Sequence, residues 1–205
     1  MTIRRKKKRH LKARTRDLIV DEAEKMIAKR GIDGLVLDEI AKTLGIQRPS
    51  LYTHFKGRDG ILTAVAERAF IQLSHQFQDD ENSDPVVTIS KGVDELVNFL
   101  VRHKAYARIL ARDFSTPGGL PAVNAVLGPP ESVLVPSLLQ PLYDRLNKIF
   151  VRGHDAGRFR KMDPFVFLTV LLGSIMACLL QHRQEMENLN EIMINLAMGL
   201  LAAQY

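Results

Sequence analysis

LDEIAKTLGIQRPSLYTHFK, residues 37–56, is the most informative stretch of this sequence, because it holds two short helical patterns separated by a glycine. Ile40 and Leu44 lie four residues apart, and therefore on one face of a helix. Gly45 then interrupts the pattern, as a residue in the left-handed conformation at a helix end would. A proline fits a helix only in its first turn, so a second helix begins close to Pro49. We predict two short helices that cross as a helix-turn-helix.

The outer face of the second predicted helix carries cations, amides, hydroxyls and one phenol. Arg48, Tyr52 and Lys56 repeat at a spacing of four residues, so they would lie along one stripe. Such side chains contact base edges and phosphates, whereas a face that only meets water does not require an aromatic ring. The pattern leaves a second interpretation open, which is a two-helix packing unit with a polar exterior. The candidate DNA-binding residues are Gln47, Arg48, Pro49, Ser50, Tyr52, Thr53, His54 and Lys56.

This stretch is part of a longer segment, from Thr15 to Val65, that resembles the DNA-binding domain of the TetR family of bacterial transcription regulators. The resemblance rests on TRDLIVDEAEKMIAKRGIDGL in the first helix, DEIAKTLGI in the second, and PSLYTHF followed by Lys56 in the recognition helix. It covers about the first third of the chain. It implies an all-helical homodimer that regulates transcription by binding an operator.

Two features depart from the pattern of that family. A Ser or Thr usually caps the second helix, but Leu35, Val36 and Leu37 occupy that junction, and Gly60 stands where an acidic residue is usual. The hydroxyl that is often available for a phosphate contact is therefore missing. Asp38 would in addition repel DNA if it faced the phosphates. The missing cap hydroxyl and Asp38 concern contacts from the second helix and leave the recognition helix unaffected.

Positive charge is concentrated in the N-terminal third of the chain. The formal net charge is +6. Residues 1–70 hold 17 Lys and Arg against 9 Asp and Glu, which gives +8, and residues 71–205 hold 12 against 14, which gives −2. A basic head on a nearly neutral body indicates that only the head meets a polyanion.

Nine Lys and Arg residues and no acid lie between residues 3 and 16. Such a run does not fold by itself, so we expect a basic arm over residues 1–14, followed by a helix that Thr15 caps. The arm would either lie along phosphates or a minor groove, or would be a solvated tail that only raises solubility. The sequence does not decide between these two roles.

The remainder of the chain has helical periodicity, and the expected fold class is all-α. A three-helix DNA-binding domain over residues 15–60 would precede a helical bundle over residues 61–205 that binds an effector and dimerises. A helix from Arg58 to about Gln78 would join head and body, and residues 79–85 would form a linker. A long loop rich in Pro and Gly, at residues 115–136, is a candidate lid. The body helices are expected at 87–102, 104–114, 138–152, 164–183 and 188–203.

A helical bundle of this kind can hold a small molecule between its helices. Aromatic and aliphatic residues at helical spacing are candidate walls, although such residues also form ordinary core, and the effector would be apolar or amphipathic. The candidate walls are Phe99, Tyr106, Leu110, Phe114, Leu142, Phe150, Phe167, Leu171 and Ile175, and the candidate polar groups are His103, Tyr143, Asn147 and His154.

The last two predicted helices are apolar on more than one face, so each needs more than one packing partner. A thick monomeric core is one explanation. The other, which the resemblance also implies, is a four-helix interface between two copies of the chain. Two-fold symmetry would then set two recognition helices about one DNA turn apart on a near-palindromic operator. The candidate interface residues are Leu172, Ser174, Ile175, Leu179, Ile192, Leu196 and Leu200.

Sequence signatures of catalysis are missing. The six histidines form no HExxH pair or other zinc-ligand spacing, and GxSxG, GxxxxGK[ST] and GxGxxG motifs are absent. Cys178 is the only cysteine, so no intrachain disulfide can form. The N-terminus lacks the apolar segment of a signal peptide, and the apolar run at 165–180 is short for a membrane span. We therefore expect a cytoplasmic protein without catalytic residues, cofactor or metal.

Together these features favour a ligand-responsive repressor. The alternatives are a transcriptional activator, a ligand-independent DNA-binding protein and, in a different class, a small-molecule carrier or an enzyme. A footprint at one palindrome would separate a regulator from a protein that coats DNA.

Overall fold

The structure is a computed structural model that describes residues 3–128, 136–181 and 188–203, with side chains described within 13–128, 136–179 and 188–203. In these ranges most residues are helical, and the only β-structure is a bridge between Phe159 and Ala202. The expected all-α fold class is confirmed. The helices are α1 (Ile3–Arg30), α2 (Leu37–Leu44), α3 (Arg48–Tyr52), α4 (Gly57–Leu73), α5 (Pro85–Arg102), α6 (Lys104–Phe114), α7 (Pro121–Leu127), α8 (Gln140–Asp155), α9 (Pro164–Gln181) and α10 (Leu189–Leu201), with a 3-10 turn at Ile32–Gly34.

Helix α1 is longer than the sequence pattern suggests, because it begins at Ile3 and runs through Thr15 without a break. The prediction that Thr15 caps this helix is wrong. Lys and Arg are good helix formers, and they extend an existing helix more readily than they fold alone. The existing helix is anchored in its C-terminal half, where Ile19, Ala23 and Ile27 are completely buried. The side chains of the basic residues at 4–12 lie outside the described part of the chain.

Helices α1 to α3 form a small head together with the first turns of α4. Helix α1 packs against α2 and α4, and α2 packs against α3. Ile40, Leu51 and Ile61 supply buried side chains from α2, α3 and α4. Arg68, further along α4, donates to Oδ1 of Asp21 at 2.6 Å and therefore also ties α4 to α1.

Helix α4 leads from the head into the body as predicted, but it ends at Leu73 rather than near Gln78. After it, Phe77 is completely buried with a φ of +54°, an uncommon conformation for a residue with a side chain. A Cβ added to Gly92 of α5 would overlap the Phe77 ring. The turn after α4 is thus anchored on α5 by a ring that fits only against a glycine.

Two arginines of α8 hold the same turn. Arg145 donates to the backbone carbonyls of Ser74, Gln76 and Phe77, which lie in the turn that follows α4. Arg152 pairs with Asp79 at 2.8 Å. Burial lowers the pKa of Arg145. The end of α4 is therefore fixed to α8.

The expected body helices are found, with boundary differences of a few residues. Helix α6 has the predicted bounds, Lys104–Phe114. Helix α5 begins earlier than predicted because Oδ1 of Asp84 accepts from the backbone N–H of Val86 at 2.7 Å and Pro85 occupies the first turn. Helix α10 lies along α5, and α8 and α9 complete the bundle.

The segment 115–136 is not a continuous loop, because α7 lies within it. Pro121 is in the first turn of α7, and Ala122 and Val123 are buried where the helix packs on α4. The expectation of a 22-residue loop missed a helix that is too short to show a clear apolar repeat. Residues 129–135 of the candidate lid lie outside the described residues.

The long apolar run of the sequence forms α9. One side of this helix is core, since Phe167, Leu171 and Ile175 are completely buried. The other side exposes apolar residues, including Val166 and Val170. No helix in the three described ranges is both long and apolar enough to cross a membrane.

Candidate nucleic-acid interface and effector cleft

Gly45 makes the turn between α2 and α3, with a φ of +64° in the left-handed region that side chains disfavour. Its N–H donates to the carbonyl of Lys42, and the N–H of Ile46 donates to the carbonyl of Ala41 at 3.0 Å. Pro49 lies in the first turn of α3. The predicted helix-turn-helix is confirmed.

Most of the candidate DNA-binding residues form one exposed surface around α3. Leu51 and Phe55 are buried and hold this short helix against the head. Tyr52 is 52% exposed, although it is a large aromatic residue. Gln47, Arg48, Pro49, Tyr52, Thr53 and Lys56 are exposed, and Ser50 and His54 are half-buried.

Helix α3 is shorter than the predicted stripe requires, because it ends at Tyr52. Thr53 turns its hydroxyl back onto the carbonyl of Ser50 at 2.7 Å. Lys56 occupies the residue just before α4 instead of a third position on α3. Lys56 and Arg48 therefore belong to different elements, which corrects the expected single stripe.

Arg48 is held by neighbours on both helices of the motif. Its guanidinium lies 3.1 Å from the carboxylate of Asp38, which belongs to α2. The hydroxyl of Tyr52, and then the carboxylate of Asp38, raise the pKa of Arg48. Asp38, which would repel DNA if it faced the phosphates, thus lies against Arg48, the one cation of α3. Both side chains are more than half exposed, so this pair contributes little to stability but orients the guanidinium.

One cation of the basic segment has a structural neighbour within the head. The guanidinium of Arg16 lies 5.1 Å from the centre of the Phe55 ring, a cation–π distance. It also lies 3.9 Å from Glu67 of α4. Arg16 therefore packs on the end of the recognition motif.

A cleft of about 250 Å³ opens between α4, α6, α8 and α9. Its walls are mostly apolar, and its polar groups are Asp113, Tyr143 and Thr169. Apolar walls with a few polar groups are typical of small-molecule sites. The lining residues are Phe70, Leu73, Leu110, Asp113, Phe114, Leu127, Leu139, Leu142, Tyr143, Phe165, Leu168, Thr169 and Leu172.

Only some of the candidate effector residues line this cleft. Leu110, Phe114, Leu142 and Tyr143 do so. The others lie elsewhere for three different reasons. The rings of Phe99, His103 and Tyr106 contact one another, with His103 stacked on Tyr106, and the Tyr106 hydroxyl donates to Glu24 of α1 at 3.0 Å. Phe150, Phe167, Leu171 and Ile175 are buried core, and Asn147 and His154 are exposed on α8.

The sequence pattern did not reveal that α4 and Asp113 contribute to the cleft. Phe70 and Leu73 were expected only as part of the helix joining head and body, yet both line the cleft. Asp113 lies one residue before Phe114 and was not among the candidate polar groups. A polar residue between two apolar wall positions, Leu110 and Phe114, is the signal that could have identified it.

Asp113 lies at the C-terminal end of α6, where the following turn folds over it. Its Oδ1 accepts from the backbone N–H of Leu120 at 2.6 Å. The turn passes through Gly119, whose φ of +75° favours glycine. Burial raises the pKa of Asp113, and the hydrogen bond from Leu120 offsets this only in part. A carboxyl group is thus kept at the rim of an apolar cleft.

The candidate interface residues on α9 and α10 divide into two groups. Ile175 is completely buried within the chain and Leu172 lines the cleft, so these two do not belong to the outer surface. Ile192 is exposed, and Ser174, Leu179, Leu196 and Leu200 are half-buried. On α9, the exposed apolar residues that the sequence pattern did not single out are Phe165, Val166 and Val170.

Within the described residues, no group of three or more His, Cys, Asp or Glu side chains could hold a metal ion.

Comparison with known proteins identifies the head. The family of bacterial regulatory proteins named tetR matches residues 19–65. An HTH-type transcriptional regulator of Staphylococcus aureus is 33% identical over 93 residues, which is 44% of this chain and 50% of that protein. The class C tetracycline repressor of Escherichia coli is 31% identical over 77 residues, which is 38% of this chain and 35% of that protein. The chain thus spans half or less of the length of these two relatives.

The likeness of fold extends over nearly the whole chain. AibR, solved in complex with isovaleryl coenzyme A and operator DNA, is similar with a TM-score of 0.63 over 93% of this chain and 99% of that one. The two sequences are 19% identical, so this likeness concerns the fold alone.

Proposed function

Because the chain belongs to the TetR family of bacterial regulatory proteins through residues 19–65, we propose that it is a transcriptional repressor controlled by a small molecule. It binds a near-palindromic operator as a homodimer, and an effector in the cleft releases it. Residues 15–60 bind DNA, and residues 61–205 bind the effector and dimerise. We propose no catalytic activity, since the relatives named above are regulators.

The observation that carries DNA binding is the exposed surface of α3. It presents Arg48 beside Gln47 at the helix start, where side chains of a recognition helix reach base edges. Arg48 donates to guanine, while Tyr52 and Lys56 contact phosphates. The Arg48–Asp38 ion pair must open or rotate as the guanidinium turns to a base.

Dimerisation rests on the outer side of α9 and α10. Val166, Val170 and Ile192 are 39–50% exposed, which is a concentrated apolar surface for two neighbouring helices. An isologous contact through this surface would cover it and pair two heads for a palindromic operator.

Control by a ligand rests on two helices that join the cleft to the head. Helix α4 begins just after the recognition motif, and its far end supplies Phe70 and Leu73 to the cleft. Helix α6 supplies Leu110 and Phe114 to the cleft and also packs against α1. A ligand that moves either helix changes the position of the head.

Three polar contacts fix α6 to the head. The hydroxyl of Tyr106 donates to Glu24, a guanidinium N–H of Arg108 donates to the carbonyl of Ile27 at 3.1 Å, and Arg112 lies 3.9 Å from Asp33. Burial raises the pKa of the Tyr106 hydroxyl, so this group stays a donor at neutral pH. These contacts support transmission through α6 as well as through α4.

The test is selection of bound fragments from genomic DNA, followed by footprinting. We expect one protected, near-palindromic site, made of two half-sites that lie about one helical turn apart. Arg48→Ala is the matched variant, and it should lose the footprint while remaining folded. Protection along the whole duplex, without a preferred site, would contradict the proposal of an operator-specific regulator.

Repression and activation are separated by a reporter gene placed behind the selected site. A repressor lowers expression when the site overlaps the promoter, and the effector restores it. Expression that rises with the protein would favour the activator.

A further inference from the structure

The cleft has an electrostatic asymmetry that the proposed function does not use. Among its described lining residues there is one ionisable acid, Asp113, and neither a lysine nor an arginine. A ligand with a carboxylate or phosphate would therefore enter an apolar site without a cation to pair with, which is costly. A ligand with a positive charge would meet Asp113.

Aromatic rings surround the same space. Phe70, Phe114, Tyr143 and Phe165 all line the cleft together with Asp113. Phe114 and Phe165 are each 49% exposed, so their faces are available to a ligand at the rim. Aromatic faces attract organic cations through the ring quadrupole, and several rings around one carboxylate form a site for such an ion.

The other polar groups of the cleft have partners within the protein. Thr169 donates to the backbone carbonyl of Phe165 at 2.8 Å. The Tyr143 hydroxyl donates to Oδ2 of Asp163 at 3.4 Å. Burial raises the pKa of Tyr143, and the negative charges of Asp163 and Asp144 raise it further.

The contact that Asp113 already makes does not require its charge. Its Oδ1 accepts from the N–H of Leu120, and the carbonyl oxygen of an asparagine would accept the same bond. The carboxylate is retained at an electrostatic cost, since burial raises the pKa of Asp113. A charged group that is not needed for the turn is available for a ligand.

We propose that the effector is a small lipophilic cation, such as an aryl-alkyl amine, whose ammonium group pairs with Asp113 while its apolar part lies among Phe70, Phe114 and Phe165. This inference rests on the proposed effector site and names the chemical class of its ligand. Asp113 is the residue that determines specificity.

Three probes with the same skeleton and different head groups test the class: 4-phenylbutylamine, 4-phenylbutanol and 4-phenylbutyrate. Titration calorimetry with the full-length protein should give an affinity for the amine about tenfold or more above that for the alcohol, with the carboxylate weakest. Equal affinities for amine and alcohol, tighter binding of the carboxylate, or no binding of any probe at millimolar concentration would overturn the inference.

The matched variant is Asp113→Asn, which keeps the acceptor for Leu120 and removes the charge. It should bind the amine no more tightly than the alcohol and bind the alcohol as before. Asp155→Asn is the control for the loss of one negative charge, because Asp155 is exposed at the end of α8 and does not line the cleft. Asp113→Ser replaces the first variant if circular dichroism shows that Asn disturbs the fold. An amine preference that persists without Asp113 overturns the assignment.

Operator binding is measured in parallel, because it tests control by a ligand separately from the chemical class of the ligand. Amine binding that depends on Asp113 but leaves the operator bound supports the ligand class and contradicts ligand control. Operator release by the amine that is equal in Asp113→Asn and in the wild type overturns the role of Asp113 and leaves ligand control standing.

Discussion

At the scale of single residues, Arg48 is the best candidate for reading a base. A bidentate pair of an arginine with guanine gives about 1–3 kcal/mol of discrimination. We expect Arg48→Ala to weaken operator binding by about this amount and to weaken binding to random DNA much less. Fluorescence anisotropy on both duplexes at one salt concentration measures the two losses. Arg102→Ala, an exposed arginine of α5, is the control, and equal losses on both duplexes would remove Arg48 from base reading.

Asp113 gives a prediction about pH at the same scale. Burial raises its pKa in the folded state above the unfolded value of about 3.9, so the folded protein binds this proton more tightly. The wild type therefore loses stability as the pH rises from the unfolded pKa through the folded one, whereas Asp113→Asn does not titrate there. We expect the variant to have the higher melting temperature at pH 7.5, with a gap that closes towards pH 4. Thermal unfolding across this range measures the gap, and a variant less stable than the wild type at pH 7.5 would contradict it.

At the scale of elements, the salt dependence of DNA binding tests the role of the basic start of α1. Deleting residues 2–12 shortens a helix that begins at Ile3 and removes seven Lys and Arg residues. If these bind phosphates, the slope of log affinity against log salt flattens by about 0.9 for each phosphate that the shortened protein no longer neutralises, while sequence preference persists. Anisotropy titrations at several salt concentrations give the slope. Lys91→Gln together with Lys148→Gln, on the body, is the control, and an unchanged slope after the deletion would identify a solvated tail.

The elements also indicate how far a sequence can be interpreted. Gly45 and Pro49 bracket the turn between α2 and α3, and their backbone restrictions are local, so that motif was predictable. Helix α6 was predictable because its apolar repeat is strong. His103 and Ser115 are its two cap residues. The start of α1 was not predictable, because a run of like charges has no apolar repeat. This run is helical because it extends the helix of the segment that follows it.

The cleft was harder to predict than the elements. Leu110 and Phe114 were selected from α6, but an aromatic repeat does not distinguish a wall from the core, and Phe150 and Ile175 proved to be core. Which side of a helix faces a cavity depends on its neighbours in three dimensions. Phe70 and Asp113 could be assigned only when α4 and α6 were seen together.

At the scale of the whole molecule, operator binding depends on two heads acting together. Val170 lies on the exposed apolar side of α9, and a carboxylate there would be buried without a partner in a dimer. We expect Val170→Glu to weaken dimerisation by about 100-fold or more and operator binding with it. Val87→Glu, at an exposed valine of α5, is the control. Sedimentation velocity measures the oligomeric state, and a Val170→Glu dimer as stable as the wild type would exclude this surface.

Coupling between the cleft and the head is the property on which regulation depends. A ligand that favours one arrangement of the heads lowers operator affinity by its differential affinity for the two arrangements, and DNA lowers ligand affinity by the same factor. Coupling of about 1–3 kcal/mol, or roughly 5–150-fold, is typical. We expect 4-phenylbutylamine, or a ligand retained through purification and identified by native mass spectrometry, to produce a shift in this range.

Tyr106→Phe tests whether α6 carries part of that coupling. Its hydroxyl donates to Glu24 of α1, and Glu24 keeps its ion pair with Arg68 at 3.0 Å when the hydroxyl is removed. Tyr106 does not line the cleft, so ligand affinity without DNA should stay unchanged while the ligand-induced loss of operator affinity shrinks. Anisotropy at zero and saturating ligand gives the coupling. Ser115→Ala, which removes a hydroxyl from the other end of α6, is the control. Full coupling in Tyr106→Phe would mean that the signal reaches the head through α4 rather than through this contact.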